Sequence, residues 1–328
     1  MQAGFYNPEQ ILNRDLTIIM LNILKPKLFL DGFGATGVRG IRVSKETQTH
    51  AVISERSEKS FKLLTHNVLL NESEAEVHWS SFEEMVTRYD FDFIDVDPYG
   101  SIIPYLDISL KNVKNRGYIG FTATDLSAIS GALPEKTLRR YGSIIPKSLM
   151  RHELGIRNLI GTIAKRAAAL DLGVEPLLSF WNKHYYRIFV RVVRGAAKAD
   201  ETLKYIGMVD LQELIGKAYS GQIAGPIWTG AMENVFNLKW EEKDTPFVLE
   251  KSSNFFHALK NEDISLLFCD VGEIFSKYHM DIPNLKKAND IALNNGATIT
   301  KRTHFSPTGL KTDYLHAFEN VYTSKGLD

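Results

Sequence analysis

The reading of the fold turns on Phe91-Asp92-Phe93-Ile94-Asp95-Val96-Asp97-Pro98-Tyr99-Gly100. Phe93, Ile94 and Val96 are β-favouring, the run is short, and a Pro-Tyr-Gly breaker ends it, so the first half reads as a buried parallel strand. Asp97 then stands at the strand's carboxyl end. Ligands of open α/β sheets bind just beyond such ends, where an acid, a proline and an aromatic make a wall for a flat substrate. The chemistry that suits this wall is amine chemistry. An exocyclic amine is a poor nucleophile because its lone pair is delocalised into the ring. A carboxylate and a backbone carbonyl that accept its hydrogens return density to nitrogen, while an aromatic face holds the base flat. Taken alone, Asp-Pro-Tyr-Gly also suits an ordinary surface turn, and the surrounding chain has to decide.

Upstream, Lys27–Leu30 reads as a short strand ending at Asp31, followed by Gly32-Phe33-Gly34-Ala35-Thr36-Gly37 and Val38-Arg39-Gly40. The spacing satisfies G-x-G-x-x-G, which fits a dinucleotide as well as S-adenosylmethionine. A second strand, Thr49–Ser54, ends in Glu55, an acid placed to accept both ribose hydroxyls of an adenosine-containing cofactor. Before these, Asn7-Pro8-Glu9-Gln10 starts a helix with Asn7 as N-cap, running to Leu24 and stopped by Lys25-Pro26. A helix over Ser57–Leu70 with Phe61, Leu64 and Val68 inward, a third strand Val77–Trp79 and a polar helix Phe82–Tyr89 complete the approach to Asp97. The alternation from 27 to 125 predicts a doubly wound, mainly parallel α/β sheet. An Asp-Pro-aromatic stretch after the fourth strand favours a methyl donor over a nicotinamide cofactor, because it serves an amine acceptor and gives a dehydrogenase nothing.

Composition sets the bounds. The chain has 328 residues, 44% hydrophobic and 24% charged, enough for two cores. The single cysteine, Cys269, excludes an internal disulfide and a multi-cysteine zinc site, suits a reducing compartment and lies in an apolar run that gives it a packing role. No membrane span or signal pattern is present, so the expected location is the cytoplasm. Zero net charge conceals an asymmetry: residues 1–194 carry 25 Lys/Arg against 21 Asp/Glu, and residues 195–328 carry 14 against 18. Residues 136–166 hold eight cations (Lys136, Arg139, Arg140, Lys147, Arg151, Arg157, Lys165, Arg166) against Glu153. A second cluster over 283–312 holds Lys286, Lys287, Lys301, Arg302 and Lys311 against Asp290. Each is a weak pointer to nucleic acid and together they are a stronger one.

Downstream, Tyr118–Ala123 is a fifth strand, and Ser127–Pro146 a loop with a short helix around Glu135–Tyr141, shaped to build a substrate site. His152-Glu153 opens an amphipathic helix to about Leu170, with His152 a candidate to touch substrate or donor, against the structural role more usual for a single histidine near a helix start. Val174–Phe180 and Tyr186–Val193 are two strands around Asn182-Lys183-His184, with Arg187 and Arg191 pointing off one sheet face. A polar, small-residue stretch at Arg194-Gly195-Ala196 suggests a boundary between a catalytic domain (1–195) and a smaller α+β C-terminal domain (196–328). In the latter, Gly216–Asn237 reads as mostly loop. Helices Val271–Tyr278 and Asn284–Leu293, a ribbon Thr298–Thr303 and a turn Ser306–Gly309 give a winged-helix-like order.

Phe5-Tyr6-Asn7-Pro8 with Asn13-Arg14-Asp15, Ala35–Arg42, Asp97–Ser101, Thr122-Ala123-Thr124-Asp125, His152-Glu153 and Arg302–Gly309 together resemble the tRNA guanine-N2-dimethyltransferases over nearly the whole chain. The resemblance implies a class I methyltransferase domain using S-adenosylmethionine, with guanosine 26 of tRNA as substrate and a C-terminal domain that helps hold the RNA. It implies that Arg14, Asp31, Arg39 and Glu55, with the turn Gly32, Gly34, Thr36 and Gly37, surround the donor. Asp97 and Pro98 accept the amine, and Phe5 and Tyr99 flank the base. Arg139, Arg140, Lys147, Arg151, His152, Lys301 and Arg302 are the candidate tRNA contacts, and no metal and no obligate protein partner are expected. Three departures stand out: Tyr99 replaces the usual Phe, Ser80-Ser81 replaces an Asp pair expected to read the adenine, and Phe5 lies almost at the start. Rival readings are methylation of another amine (a different tRNA guanosine, DNA adenine or protein glutamine) and a catalytically silent RNA-binding protein.

Overall fold

In the computed structural model the described residues are 6–237, 245–260, 262, 264–319 and 321. Phe5, expected beside the base, lies outside them.

The first half builds a seven-stranded sheet from β1 (Leu28–Asp31), β2 (His50–Glu55), β3 (Glu76–Trp79), β4 (Phe91–Val96), β5 (Val113–Ala123), β6 (Leu172–Asn182) and β7 (Tyr185–Arg194). The spatial order is 3-2-1-4-5-7-6, with β7 antiparallel to both neighbours and the first five strands parallel. Around it lie α1 (Ile11–Leu24), α2 (Val38–Glu46), α3 (Glu58–Leu70), α4 (Phe82–Met85), α5 (Ile103–Asn112), α6 (Leu126–Ile129), α7 (Pro134–Tyr141) and α8 (Arg151–Ala168). This is the class I methyltransferase arrangement.

The local reasons are those in the sequence. Asn7 Oδ1 accepts the Glu9 amide at 3.0 Å and Pro8 opens a 3-10 turn that leads into α1, which ends where Lys25 turns left-handed ahead of Pro26. Leu16, Ile19 and Met20 bury the inner face of α1. Four expectations are corrected. The polar helix after β3 stops at Met85, one turn after its Ser81/Glu84 capping box. Phe61 is half-buried and stacks on the exposed Trp79 instead of entering the core. The helix from Arg151 is buried on nearly all sides, because β6 packs against it on one side and the strand Ile223–Trp228 on another. Arg187 points into the core, not off a free face; Arg191, half-buried, lies near Glu175.

The second half contains α9 (Ala196–Leu203), β8 (Ile206–Asp210), α10 (Leu211–Ile215), β9 (Ile223–Trp228) and α11 (Glu250–Leu259). It continues with β10 (Cys269–Asp270), α12 (Val271–Lys277), α13 (Leu285–Asn294), β11 (Thr300–Arg302) and β12 (Gly309–Thr312). The stretch 216–237 is thus not mostly loop: β9 pairs with β8, and Gly225 and Pro226 inside the strand mask its apolar pattern. Helix, helix and the β10-β12-β11 sheet reproduce the winged-helix-like order. One apolar cluster runs without a break from Leu30 and Phe121 of the large sheet through α8 to Phe268, Phe305 and Phe318. A second, beneath α1 and α2, covers the other face with Leu16, Phe29, Ile53 and Phe189.

Candidate active site

The carboxyl ends of β1, β2, β4 and β5 bring the candidate residues together. After β1 the chain turns tightly: Gly34 N donates to Ser54 O (2.9 Å) and Gly37 N to Gly34 O (2.7 Å). Gly37 has φ +81, a conformation only glycine takes without strain, and it opens α2. Inside α2, a Cβ at Gly40 would lie 2.4 Å from the Ile53 side chain, so glycine here lets the helix sit on β2. The Gly40 amide donates to Asp31 Oδ2 at 3.1 Å. Burial pushes the Asp31 carboxyl up to about 6, with Arg39 opposing. Glu55, half-buried at the end of β2, accepts the Ala35 amide (2.8 Å) on one oxygen and the Ser57 amide (2.7 Å) on the other. Thr36 O accepts from Asn67 Nδ2 at 2.8 Å, which ties the turn to α3.

Asp97 follows β4 with its side chain 22% exposed and paired to Arg39, whose remaining contacts go to Asn13 Oδ1 (3.2 Å), Thr17 Oγ1 (3.1 Å) and Asp95 Oδ2 (3.3 Å). Burial raises the Asp97 carboxyl and the Arg39 guanidinium pulls it back. Burial also works against the Arg39 charge, but Asp95, Asp97 and Asp31 outweigh it and hold the guanidinium protonated. Pro98 is buried, whereas the Tyr99 side chain stands out at 90% exposure. Gly100 is pinned to the residue just after β5 by two hydrogen bonds with Thr124, its N to Thr124 Oγ1 (2.8 Å) and its O from Thr124 N (2.9 Å). A cavity of about 380 Å³ opens beside this pin, lined by Thr124, Asp125, Leu133, Lys136 and His184. Asp125 Oδ2 accepts from Tyr141 Oη (2.6 Å), and Tyr141 Oη is 3.1 Å from Ser101 Oγ, which closes the ring of loops.

Other candidates have more committed surroundings. Arg14 donates through both terminal nitrogens to Asn7 O at 3.2 Å and lies 4.7 Å from the centre of the Tyr6 ring, so it holds the N-terminal segment over the site. The His152 ring is stacked on Trp181 (3.9 Å, 14°), with Nδ1 3.2 Å from Tyr186 Oη. Burial, with the Arg151 charge adding to it, lowers His152 to about 4, so the imidazole is neutral. Of the first basic cluster, Arg139, Lys147 and Arg151 are exposed and make no ion pair among the described residues. Arg140 pairs with Asp125 (3.2 Å), Arg166 with Asp107, and Arg157 is fully buried against Glu153 (3.0 Å). In the second cluster, Lys301 and Arg302 sit on the edge strand β11, half-buried and exposed. Lys311 is corrected: it is buried, with Nζ 2.7 Å from Glu153 Oε1.

Several partners escaped the sequence reading. Arg187 and Asp95, both fully buried, form an ion pair beneath Asp97. A signal for Asp95 was available, since residues 95 and 97 lie two apart and strand periodicity puts both on one face. Ser80 Oγ is buried with no hydrogen-bond partner among the described residues, whereas Ser81 caps α4. His304 takes the Trp181 amide on Nε2 (3.1 Å) and faces Glu262 with Nδ1 (2.8 Å), which docks the Thr303-His304 segment onto β6.

The family model of the N2,N2-dimethylguanosine tRNA methyltransferases matches residues 1–323. A tRNA (guanine(26)-N(2))-dimethyltransferase of Thermoplasma volcanium is 44% identical over 314 residues, 96% of this chain and 90% of the relative. One of Pyrococcus abyssi is 34% identical, with 98% of this chain and 93% of the relative aligned. The solved structure of Trm1 from Pyrococcus horikoshii with S-adenosyl-L-methionine superimposes with a TM-score of 0.83 at 32% identity, covering 95% of this chain and 92% of that one. This chain therefore belongs to the N2,N2-dimethylguanosine tRNA methyltransferase family.

Proposed function

We propose that this protein transfers methyl groups from S-adenosylmethionine to the exocyclic N2 of guanosine 26 in tRNA. The observation that carries the reading is the Asp97 carboxylate at the end of β4, held by Arg39 and followed by a buried Pro98 and an exposed Tyr99. Bound in the turn after β1, the donor supplies an electrophilic methyl group. The residues present fit it: Glu55 keeps lone pairs beyond its two backbone hydrogen bonds for the ribose hydroxyls, and Asp31 offers a carboxylate to the ammonium group. The orphaned Ser80 hydroxyl supplies a hydrogen-bonding group for the adenine, the task that the absent acid pair would have had. Arg14 and Arg39 complete the donor's surroundings, with Arg39 set among Asp31, Asp95 and Asp97.

Asp97 accepts hydrogen bonds from the guanine amine and so strengthens as nitrogen becomes tetrahedral, the differential stabilisation that lowers a barrier. The Pro98 carbonyl serves as the second acceptor. Tyr99 stacks on the base, and Phe5 is assigned to its other face. Residues 1–195 are the catalytic unit and 196–328 the part that helps hold tRNA, in the cytoplasm, with Arg139, Arg140, Lys147, Arg151, Lys301 and Arg302 toward phosphates. His152 acts there as an aromatic ledge with Trp181, neutral at working pH.

The test is methyl transfer from labelled donor to two tRNA transcripts, one with guanosine and one with inosine at position 26, followed by nucleoside mass analysis. Methylguanosine in the first and no incorporation in the second is the expected result. Equal labelling of both would remove N2 as the acceptor.

A further inference from the structure

Beneath the amine-accepting loop lies a buried set of charges assembled from distant parts of the chain. Asp31 of β1, Asp95 and Asp97 at the end of β4, Arg39 of α2 and Arg187 of β7 are three carboxylates against two guanidinium groups. Arg187 is fully buried. It pairs with Asp95 through NH2, lies 3.4 Å from Asp95 Oδ1 through NH1, and donates to Thr122 Oγ1 (3.0 Å) and Thr17 Oγ1 (3.1 Å). Arg39 in turn divides its NH1 and NH2 between Asp95 and Asp97.

We infer that Arg187 is a positioning residue: by pairing with Asp95 it leaves Arg39 free to reach Asp97 and hold that carboxylate charged and aimed at the amine. The inference rests on the proposed role of Asp97. Its physical basis is competition. Without Arg187, the fully buried Asp95 and the half-buried Asp97 contend for one guanidinium, and Asp95 has the greater need of it. Asp97 then loses its counter-charge while Asp95 and Asp31 still repel it. The groups that face Asp97 are Asp31 from β1, Arg39 from α2, Asp95 on its own strand, and Arg187 and Tyr185 from β7, with the Thr122 hydroxyl of β5 beside it. Of these only the two arginines favour its charge, apart from the Thr122 hydrogen bond.

The sign follows directly. An amine acceptor must be ionised, so a raised Asp97 moves the acid limb of the pH–rate profile to higher pH. An opposite charge at this range shifts a carboxylate by about 1–3 units. Single-turnover methyl transfer to tRNA by Arg187→Gln should therefore show its acid limb at least about one pH unit above the parent's. Arg187→Lys, which keeps the charge but loses the fork, should shift the same way by less and covers the case in which the glutamine variant does not fold. A limb coincident with the parent's in folded variant protein would overturn the inference, because a merely structural role changes the amount of active enzyme and leaves the limb in place. Asp97→Asn separates the two layers. If it keeps the parent rate, the Asp97 reading has failed; if it collapses the rate while the Arg187 limbs stay put, only the present inference has failed.

Discussion

The Lys311 ammonium lies 2.7 Å from Glu153 Oε1, with both side chains buried and the two residues 158 positions apart in the chain. It also donates to Ser265 O at 3.0 Å, so one cation ties β12 and its neighbouring loop to the central helix α8. Breaking a buried pair leaves a desolvated charge, here mitigated because Glu153 keeps Arg157. Lys311→Met should therefore cost about 3 kcal/mol of stability in urea denaturation, at the low end for such losses. Its tRNA binding, measured on folded protein, should keep the parent's salt slope. A stability loss under about 1 kcal/mol would mean that the contact is not maintained in solution.

Lys301 and Arg302 make the opposite case. They lie on an edge strand with no ion pair among the described residues, so their charge is available to phosphates. The double substitution to alanine should flatten the log–log salt dependence of tRNA binding by about one to two units, since fewer counterions are released. Donor affinity should stay constant; an unaltered slope would turn the ribbon away from RNA.

The contrast between Lys311 and its neighbours shows where sequence reading stops. Alternation and breakers located β4, the glycine turn and Asp97, because those signals are local: apolar strand residues, a Pro-Tyr-Gly stop and a left-handed Gly37. A lysine's destination is not local. Lys311 and Arg302 look alike in a basic run, and only the packing of α8 against the second half separates buried tie from free cation. Arg187 reads from sequence as pointing off a sheet face for the same reason, since its partner Asp95 lies 92 residues away. The α8 helix looked amphipathic because Glu153 and Arg157 read as a polar face, yet each neutralises the other inside the core. The strand β9 was lost to its own Gly225 and Pro226, whose propensities oppose the pairing that β8 imposes.

Glu55 should control the donor's ribose. With Glu55→Ala, the loss of charge-assisted hydrogen bonds at about 1.5–3 kcal/mol each should weaken donor binding well over tenfold by calorimetry. The Ala35 amide that Glu55 now holds is released as well, so association should slow along with the loss of affinity. Unchanged donor affinity would remove Glu55 from the site.

Asp31 gives the donor site a pH dependence with a definite sign. Burial raises its carboxyl to about 6, so below that pH it is protonated and has no charge to offer an ammonium group. The donor's own amine stays protonated throughout this range, near 8 for an ordinary α-amino group. Donor affinity should therefore be greatest near pH 7, fall toward about tenfold per unit below pH 6, and decline again above about pH 8 as the ammonium loses its proton. Asp31→Asn should bind weakly and without that slope. A parent affinity constant from pH 7 to pH 5 would mean that the ammonium group is held elsewhere.

The chemistry itself is tested at Asp97 and Tyr99. Asp97→Asn keeps the size of the side chain but replaces an anionic acceptor with an amide, while Arg39 retains Asp95 as a partner and the fold its internal ion pair. Turnover should fall by about two to four orders of magnitude, the range of a lost oxyanion-type or acid–base contact, with donor and tRNA affinities changed far less. The Tyr99 ring is 90% exposed and makes no ring contact among the described residues, so its stacking surface is available for a base. Stacking worth about 1–3 kcal/mol predicts that Tyr99→Ala weakens base capture roughly five- to hundredfold. Tyr99→Phe should be near neutral if only the ring is used. Single-turnover methyl transfer at saturating tRNA and donor decides the matter. A rate for Asp97→Asn within a few-fold of the parent would reduce Asp97 to a turn residue and send the search for the amine's activator back to the Pro98 carbonyl and the cavity beside Asp125.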